Sequence, residues 1–115
     1  MSGVDNILSA KELCLEALEK LEGMHGKLDD DALNEIESRL KKDAFNLGEW
    51  KKKAFARVKL GVTLSEGIVN SAKELEKTVN DEDVKLNEVL AALEKMENAM
   101  AEFKKEMDKR SRLAT

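Results

Sequence analysis

The chain has no proline and no tyrosine, and it has one cysteine, one tryptophan and one histidine among its 115 residues. Each scarcity removes a class of protein. Aromatic residues make up 3% of the chain, too few to line a ligand pocket or to form a base-stacking platform. The same shortage argues against a β-sheet, which favours aromatic and β-branched side chains. A single cysteine, Cys14, cannot close an internal disulfide, so nothing ties the chain to an oxidising compartment. Cys14 sits among Leu13, Leu15 and Leu18, where a free thiol behaves as a small buried apolar group. Ser2 rules out N-myristoylation, and the N-terminus lacks the basic and apolar regions of a secretory leader. No apolar run approaches the ~20 residues of a membrane span. The expected location is the cytoplasm, with no membrane partner.

Catalytic patterns are equally scarce. There is no phosphate-cradling glycine-rich loop, no Glu-x-x-His pair and no nucleophile elbow. His25 beside Asp29, Asp30 and Asp31 lacks the ligand count for zinc, and the aspartate run lacks the glycine and terminal glutamate of a calcium loop. It reads as a turn histidine followed by a helix N-cap. One histidine also leaves no partner set to activate Cys14 as a nucleophile. The expectation is a protein without enzymatic activity, cofactor or metal.

What is present is apolar periodicity and charge. Apolar residues make up 42% of the chain, enough for a core, and charged residues reach 38%, well above the usual quarter. From Leu33 to Val79 apolar and small residues recur every three or four positions: Leu33, Ile36, Leu40, Ala44, Leu47, Ala54, Val58, Val62, Ser65, Ile68, Ala72, Leu75, Val79. A second ladder runs from Leu86 through Val89, Leu93, Met96, Met100 and Phe103 to Met107. Such spacing places an apolar stripe along a helix, and that stripe needs cover from another helix. The methionines of the second ladder read as ordinary core.

The reading is an all-α fold with one domain over residues 1–115 and no internal repeats. Helix 1 is expected at about 4–24, with Asp5 at its positive end and Gly26 as a left-handed stop. A long central helix is expected at about 31–79, with a kink near Asp43 to Gly48, and a third at about 83–110. Residues 111–115 are expected to fray. At ~1.5 Å per residue the central helix is about 70 Å long, and short turns make the neighbours antiparallel, a coiled-coil-like hairpin arrangement. Gly61 and Gly67 are expected inside this helix, where a neighbouring helix approaches closely.

Two apolar stripes in the central helix exceed what helix 3 can cover. One solution is a single-chain bundle in which helix 1 folds back. The preferred one is a homodimer with a four-helix core, its interface formed by Phe55, Val58, Val62, Leu64, Ile68, Val69 and Leu75.

Antiparallel pairing sets Arg110 beside about Lys52 and Met107 beside about Phe55. Lys51, Lys52, Lys53, Arg57 and Lys59 then converge with Lys104, Lys105, Lys109, Arg110 and Arg112. This gathers ten of the twenty Lys and Arg residues at one end of a chain with net charge −4. The competing reading is a solvated face, since Glu49, Glu102, Glu106 and Asp108 are interspersed. Candidate partner-binding residues are Trp50, Lys52, Lys53, Arg57, Lys59, Lys105, Lys109 and Arg110. The function expected is that of an adaptor or small chaperone that binds another protein. The alternative is a dimeric nucleic-acid-associated or regulatory protein, disfavoured by the net acidity and by the lack of a recognised binding motif.

Overall fold

A computed structural model describes residues 2–114 of the chain, with side chains described for residues 2–111. The fold is all-α. Four helices follow in order: α1 (Gly3–Glu22), α2 (Asp30–Trp50), α3 (Lys59–Val79) and α4 (Leu86–Ala114), with a single 3-10 turn at Ala54–Arg57. No strand occurs among the described residues, and no helix of these is long and apolar enough to cross a membrane.

Local chemistry starts and stops most of these helices. Ser2 and Asp5 form a capping box, in which Ser2 Oγ accepts from the Asp5 amide (3.1 Å) and Asp5 Oδ2 from the Ser2 amide (3.3 Å). That satisfies two of the donors a helix start leaves free. After Glu22 the chain turns through Gly26, whose φ of +85° is open to glycine at little steric cost. Asp29 then caps α2 by accepting from the Asp31 amide at 3.1 Å. Asn80 closes α3, donating from Nδ2 to the Glu76 carbonyl at 3.0 Å. α4 begins at Leu86 rather than near 83, because Asp81 accepts from the Asp83 amide and holds that segment in the turn. It continues through Ala114, so residues 111–114 are helical rather than frayed, and Thr115 lies outside the described residues.

The helices form two antiparallel hairpins, α1–α2 and α3–α4, in a body 50 × 24 × 19 Å. α1 packs on both α2 and α3, α3 packs on α4, and α2 and α4 touch more lightly. Pairs across the hairpins keep one register. Asn6 meets Ser65, Lys20 meets Glu76 and Arg39 meets Glu97, all separated by 56 to 59 residues. α1 therefore runs parallel to α3, and α2 parallel to α4.

The expected central helix at 31–79 is two helices. The kink region near 43–48 is unbroken α2, where Ala44 and Leu47 are buried and the Lys11 side chain lies over Gly48. The break comes later, at residues 51–58, and is made by packing. A Cβ on Gly3 would stand 2.0 Å from the Ala56 carbonyl oxygen, and one on Gly61 1.9 Å from that of Phe55. Only glycine lets both helices come so close to the 3-10 turn. Phe55 is thereby buried against Phe103. Full burial of a phenylalanine contributes roughly 1.5–3 kcal/mol, several times the helix propensity of any one residue in the segment. Gly61 thus has the close approach expected of it, although the approaching group is the turn before its own helix. Gly67 is exposed, with nothing near it.

The break decides where the twin stripes are buried. It lets α1 return over α3 from one side while α4 covers it from the other. Phe55, Ile68, Val69 and Leu75, assigned above to a dimer interface, are buried in the chain's own core. Leu64 is half-buried and packs against that core, Val62 is half-buried, and Val58 is exposed. One chain supplies all four helices of the core, so the surplus apolar surface that called for a second copy is already covered. Met96, Met100, Phe103 and Met107 line the buried face of α4, and Cys14 is fully buried.

A candidate protein-binding end

Three of the four aromatic side chains gather where α2 ends and α4 finishes. Trp50 stacks on Phe103, with ring centroids 5.6 Å apart, and Phe55 meets Phe103 at 5.4 Å in a tilted arrangement. The Arg110 guanidinium lies over the Phe55 ring, 5.1 Å from its centroid, within range of a cation–π attraction. Outside this cluster is a groove of about 330 Å³ lined by Lys53, Ala54, Phe55, Val58, Met107, Arg110 and Ser111. Its floor is apolar and it holds two cations and no carboxylate. Val58, 39% exposed, forms an uncovered part of that floor.

The antiparallel register thus brings Met107 and Phe55 to one groove, with Lys53 and Arg110 beside them. Lys52, Arg57, Lys59, Lys105 and Lys109 are exposed but do not line it. Lys51 is half-buried, and the Arg112 side chain lies outside the described residues. Two of the basic residues are paired along their own chain segment, Lys52 with Glu49 (3.7 Å) and Lys104 with Asp108 (3.0 Å). Among the described residues, Lys53, Arg57, Lys59, Lys105, Lys109 and Arg110 have no carboxylate within ion-pair distance. Trp50 is 8% exposed. It acts as the core filler beneath the groove, and not as an exposed anchor.

Phe45 stands outside the apolar ladder. It is 66% exposed on α2 and does not line the groove. Its place between Ala44 and Asn46 carries no periodic signal that distinguishes an exposed from a buried phenylalanine.

Two polar clusters lie elsewhere. Where α2 meets α4, Arg39 pairs with Glu97 and Asp43 is buried beside them. Burial first, then the hydrogen bond and charge of Glu97, push the Asp43 carboxyl up to about 8. Both causes favour the protonated carboxyl over the ionised one. Burial opposes ionisation of Glu97, but hydrogen bonds from Arg39 and Asp43, with the charges of Arg39 and Lys42, hold it below the usual carboxylate range. Burial, helped by Asp43 and Glu97, pushes the Cys14 thiol up to about 12, which keeps it un-ionised and un-nucleophilic at neutral pH.

At the α1–α2 turn, His25 Nε2 lies 2.6 Å from Glu37 Oε2 and Nδ1 lies 3.1 Å from Asp30 Oδ1. The hydrogen bond to Glu37 chiefly raises the His25 pKa above its ordinary value. Asp30 Oδ1 also accepts from the Gly26 amide at 3.0 Å. The histidine braces the turn, and no group of metal-ligating side chains occurs among the described residues.

Comparison with protein-family models, characterised proteins and solved structures finds no match to this chain.

Proposed function

We propose that this protein is a non-enzymatic cytoplasmic helical bundle of the adaptor or small-chaperone type, which binds another protein through its basic end. The supporting observation is the groove at Phe55, Val58 and Met107, where an apolar floor meets Lys53 and Arg110 with no carboxylate among its lining residues. On a chain of net charge −4, such a concentration of cations is complementary to an acidic partner surface. Charge of this kind steers encounter, while the apolar floor supplies the desolvated contact that holds a complex.

The experiment compares the wild-type protein with a variant carrying Lys53→Glu, Arg57→Glu, Lys109→Glu and Arg110→Glu, which reverses both cations of the groove and two further cations of the basic end. Circular dichroism confirms the folding of both, and each is used to capture partners from native lysate. The reading expects a specific protein retained by the wild type and lost from the variant, with shallow salt dependence. The nucleic-acid reading, which the same cations favour, makes the opposite forecast. Neutralising several phosphates releases counterions, so affinity falls steeply with salt. Sub-micromolar binding of duplex DNA or RNA that collapses on adding salt, and is lost in the variant, replaces the protein-binding reading.

A further inference from the structure

The break between α2 and α3 has an unusual composition for a place where a chain reverses. Residues 51–58 read Lys-Lys-Lys-Ala-Phe-Ala-Arg-Val, with no glycine, proline, asparagine, aspartate or serine to favour a turn. The apolar ladder passes through the segment without losing its period, from Leu47 through Ala54 and Val58 to Val62. Neither Lys53, which precedes the 3-10 turn, nor Val58, which precedes α3, makes a side-chain capping hydrogen bond. α3 has no acidic residue in its first turn and begins between Arg57 and Lys59, so the positive end of its dipole is uncompensated; only the lysines after Trp50 suit the end of α2. Local chemistry here favours continuing the helix. The bend is held from outside, by Gly3 and Gly61 against the Phe55–Ala56 backbone and by Phe103 against Phe55.

We propose that a second copy of this chain takes the place of the outside support, through exchange of hairpins. In the exchanged form, residues 30–79 make one continuous helix of about 75 Å at ~1.5 Å per residue. The α1–α2 hairpin of one copy packs on the α3–α4 hairpin of the other. Each contact that now joins the hairpins within a chain re-forms between chains: Asn6 with Ser65, Lys20 with Glu76, Cys14 with Met96, Arg39 with Glu97. Apart from Phe55 and Ala56, which belong to the connecting segment, the core is unchanged, which is the condition under which domain swapping is a low-cost route to a dimer. The surface that the partner copy recognises is the inter-hairpin face of α1 and α3, and each protomer's hairpin is incomplete without a second one. The exchanged form also lacks the groove, because Lys53, Ala54, Phe55 and Val58 pass into the straight helix.

Three variants test this, with mass measured by light scattering after size exclusion, from micromolar to millimolar protein. Ala54 opens the 3-10 turn, and Lys53 before it has φ −82° and ψ 132°, the extended conformation required ahead of proline. Ala54→Pro therefore fits the bent chain, and it is excluded from the interior of a continuous helix. Gly61→Ala does the reverse. Its methyl group collides with the Phe55 carbonyl only in the bent form, and alanine favours helix. The third variant, Lys53→Ala with Val58→Ala, raises helix propensity without any collision and decides the matter if Gly61→Ala fails to fold. The expected result is a dimer-to-monomer ratio at least tenfold above wild type for the helix-favouring variants, with a mass twice the 12.9 kDa of the chain. Adding Ala54→Pro to Lys53→Ala/Val58→Ala must abolish that gain. A double-alanine variant no more dimeric than wild type overturns the proposal, and so does a dimer that persists with Ala54→Pro, because it then pairs by another surface.

Discussion

Between α1 and α2 the chain turns on Gly26 at a positive φ, on the Asp29 cap and on His25 held between Asp30 and Glu37. Between α2 and α3 it turns on three lysines, two alanines, a phenylalanine, an arginine and a valine, none of which favours a bend. The first junction is made by residues between His25 and Glu37, all within the turn and the first two turns of α2. The second is made by Gly3 and Phe103, which reach it from elsewhere in the fold, with Gly61 at the start of α3 leaving room for the turn. A turn of the first kind forms with its own segment, whereas one of the second kind exists only when the whole bundle is assembled. Substitutions close in sequence should therefore damage the first junction, and substitutions remote in sequence the second.

The largest effect is expected from Phe103→Ala. The residue is fully buried and touches both Trp50 and Phe55, so truncation removes the aromatic support of the 51–58 break from nearly fifty positions away. A loss of about 3–5 kcal/mol is expected in denaturant unfolding. A loss below about 1 kcal/mol would show that the break does not depend on this cluster. At the locally built turn, Asp29→Ala removes the α2 cap and should cost about 1 kcal/mol. Lys52→Ala, equally close to the break, should change stability by no more than about 0.5 kcal/mol, and near-equal losses in the two variants would erase the contrast.

The smallest effect is a local one that depends on pH. Because the folded state raises the His25 pKa, its contribution is fully present below the unfolded value of about 6.5 and is lost as pH rises through the folded pKa. Residues 51–58 contain no histidine or carboxyl group, so the break should not respond in this window. The amide of Gly26, which donates to Asp30, is the probe. Its NMR shift should titrate with a midpoint above 6.5 and lose that transition in His25→Ala. A midpoint at or below 6.5 would mean that Glu37 does not hold the imidazolium.

The same contrast explains what could be read from the residues alone. Periodicity identifies α1, α4 and the buried faces of both, because an apolar stripe at Ile7, Cys14 and Leu21 or at Leu93, Met100 and Met107 has one way to be buried. The twin stripes around Ile68 and Val69 were equally plain, but periodicity does not say whose helix covers them. The answer depended on the break, and the break depends on contacts between Gly3 and Ala56 and between Phe55 and Phe103 that have no local signature. A faint trace exists in Gly3 and Gly61, two glycines at helix starts where nothing in the turn chemistry requires one. At the basic end, antiparallel register was enough to bring Met107 to Phe55 and Arg110 to the neighbourhood of Lys53. It did not reveal that Trp50 lies beneath the groove instead of on its surface, since an amphipathic side chain at a helix end is compatible with either place.

Cys14 belongs to one hairpin, and its sulfur lies 3.5 Å from that of Met96 in the other. Solvent has no access to it while the two are together. An alkylating or disulfide reagent can therefore reach this thiol only after the hairpins part or the bundle unfolds. The labelling rate is then a clock for separation. At low reagent it reports the equilibrium fraction of open molecules, and at saturating reagent it reports the opening rate itself. With one cysteine in the chain, this clock needs no engineered probe, and it times the contact that holds the two halves of the molecule together.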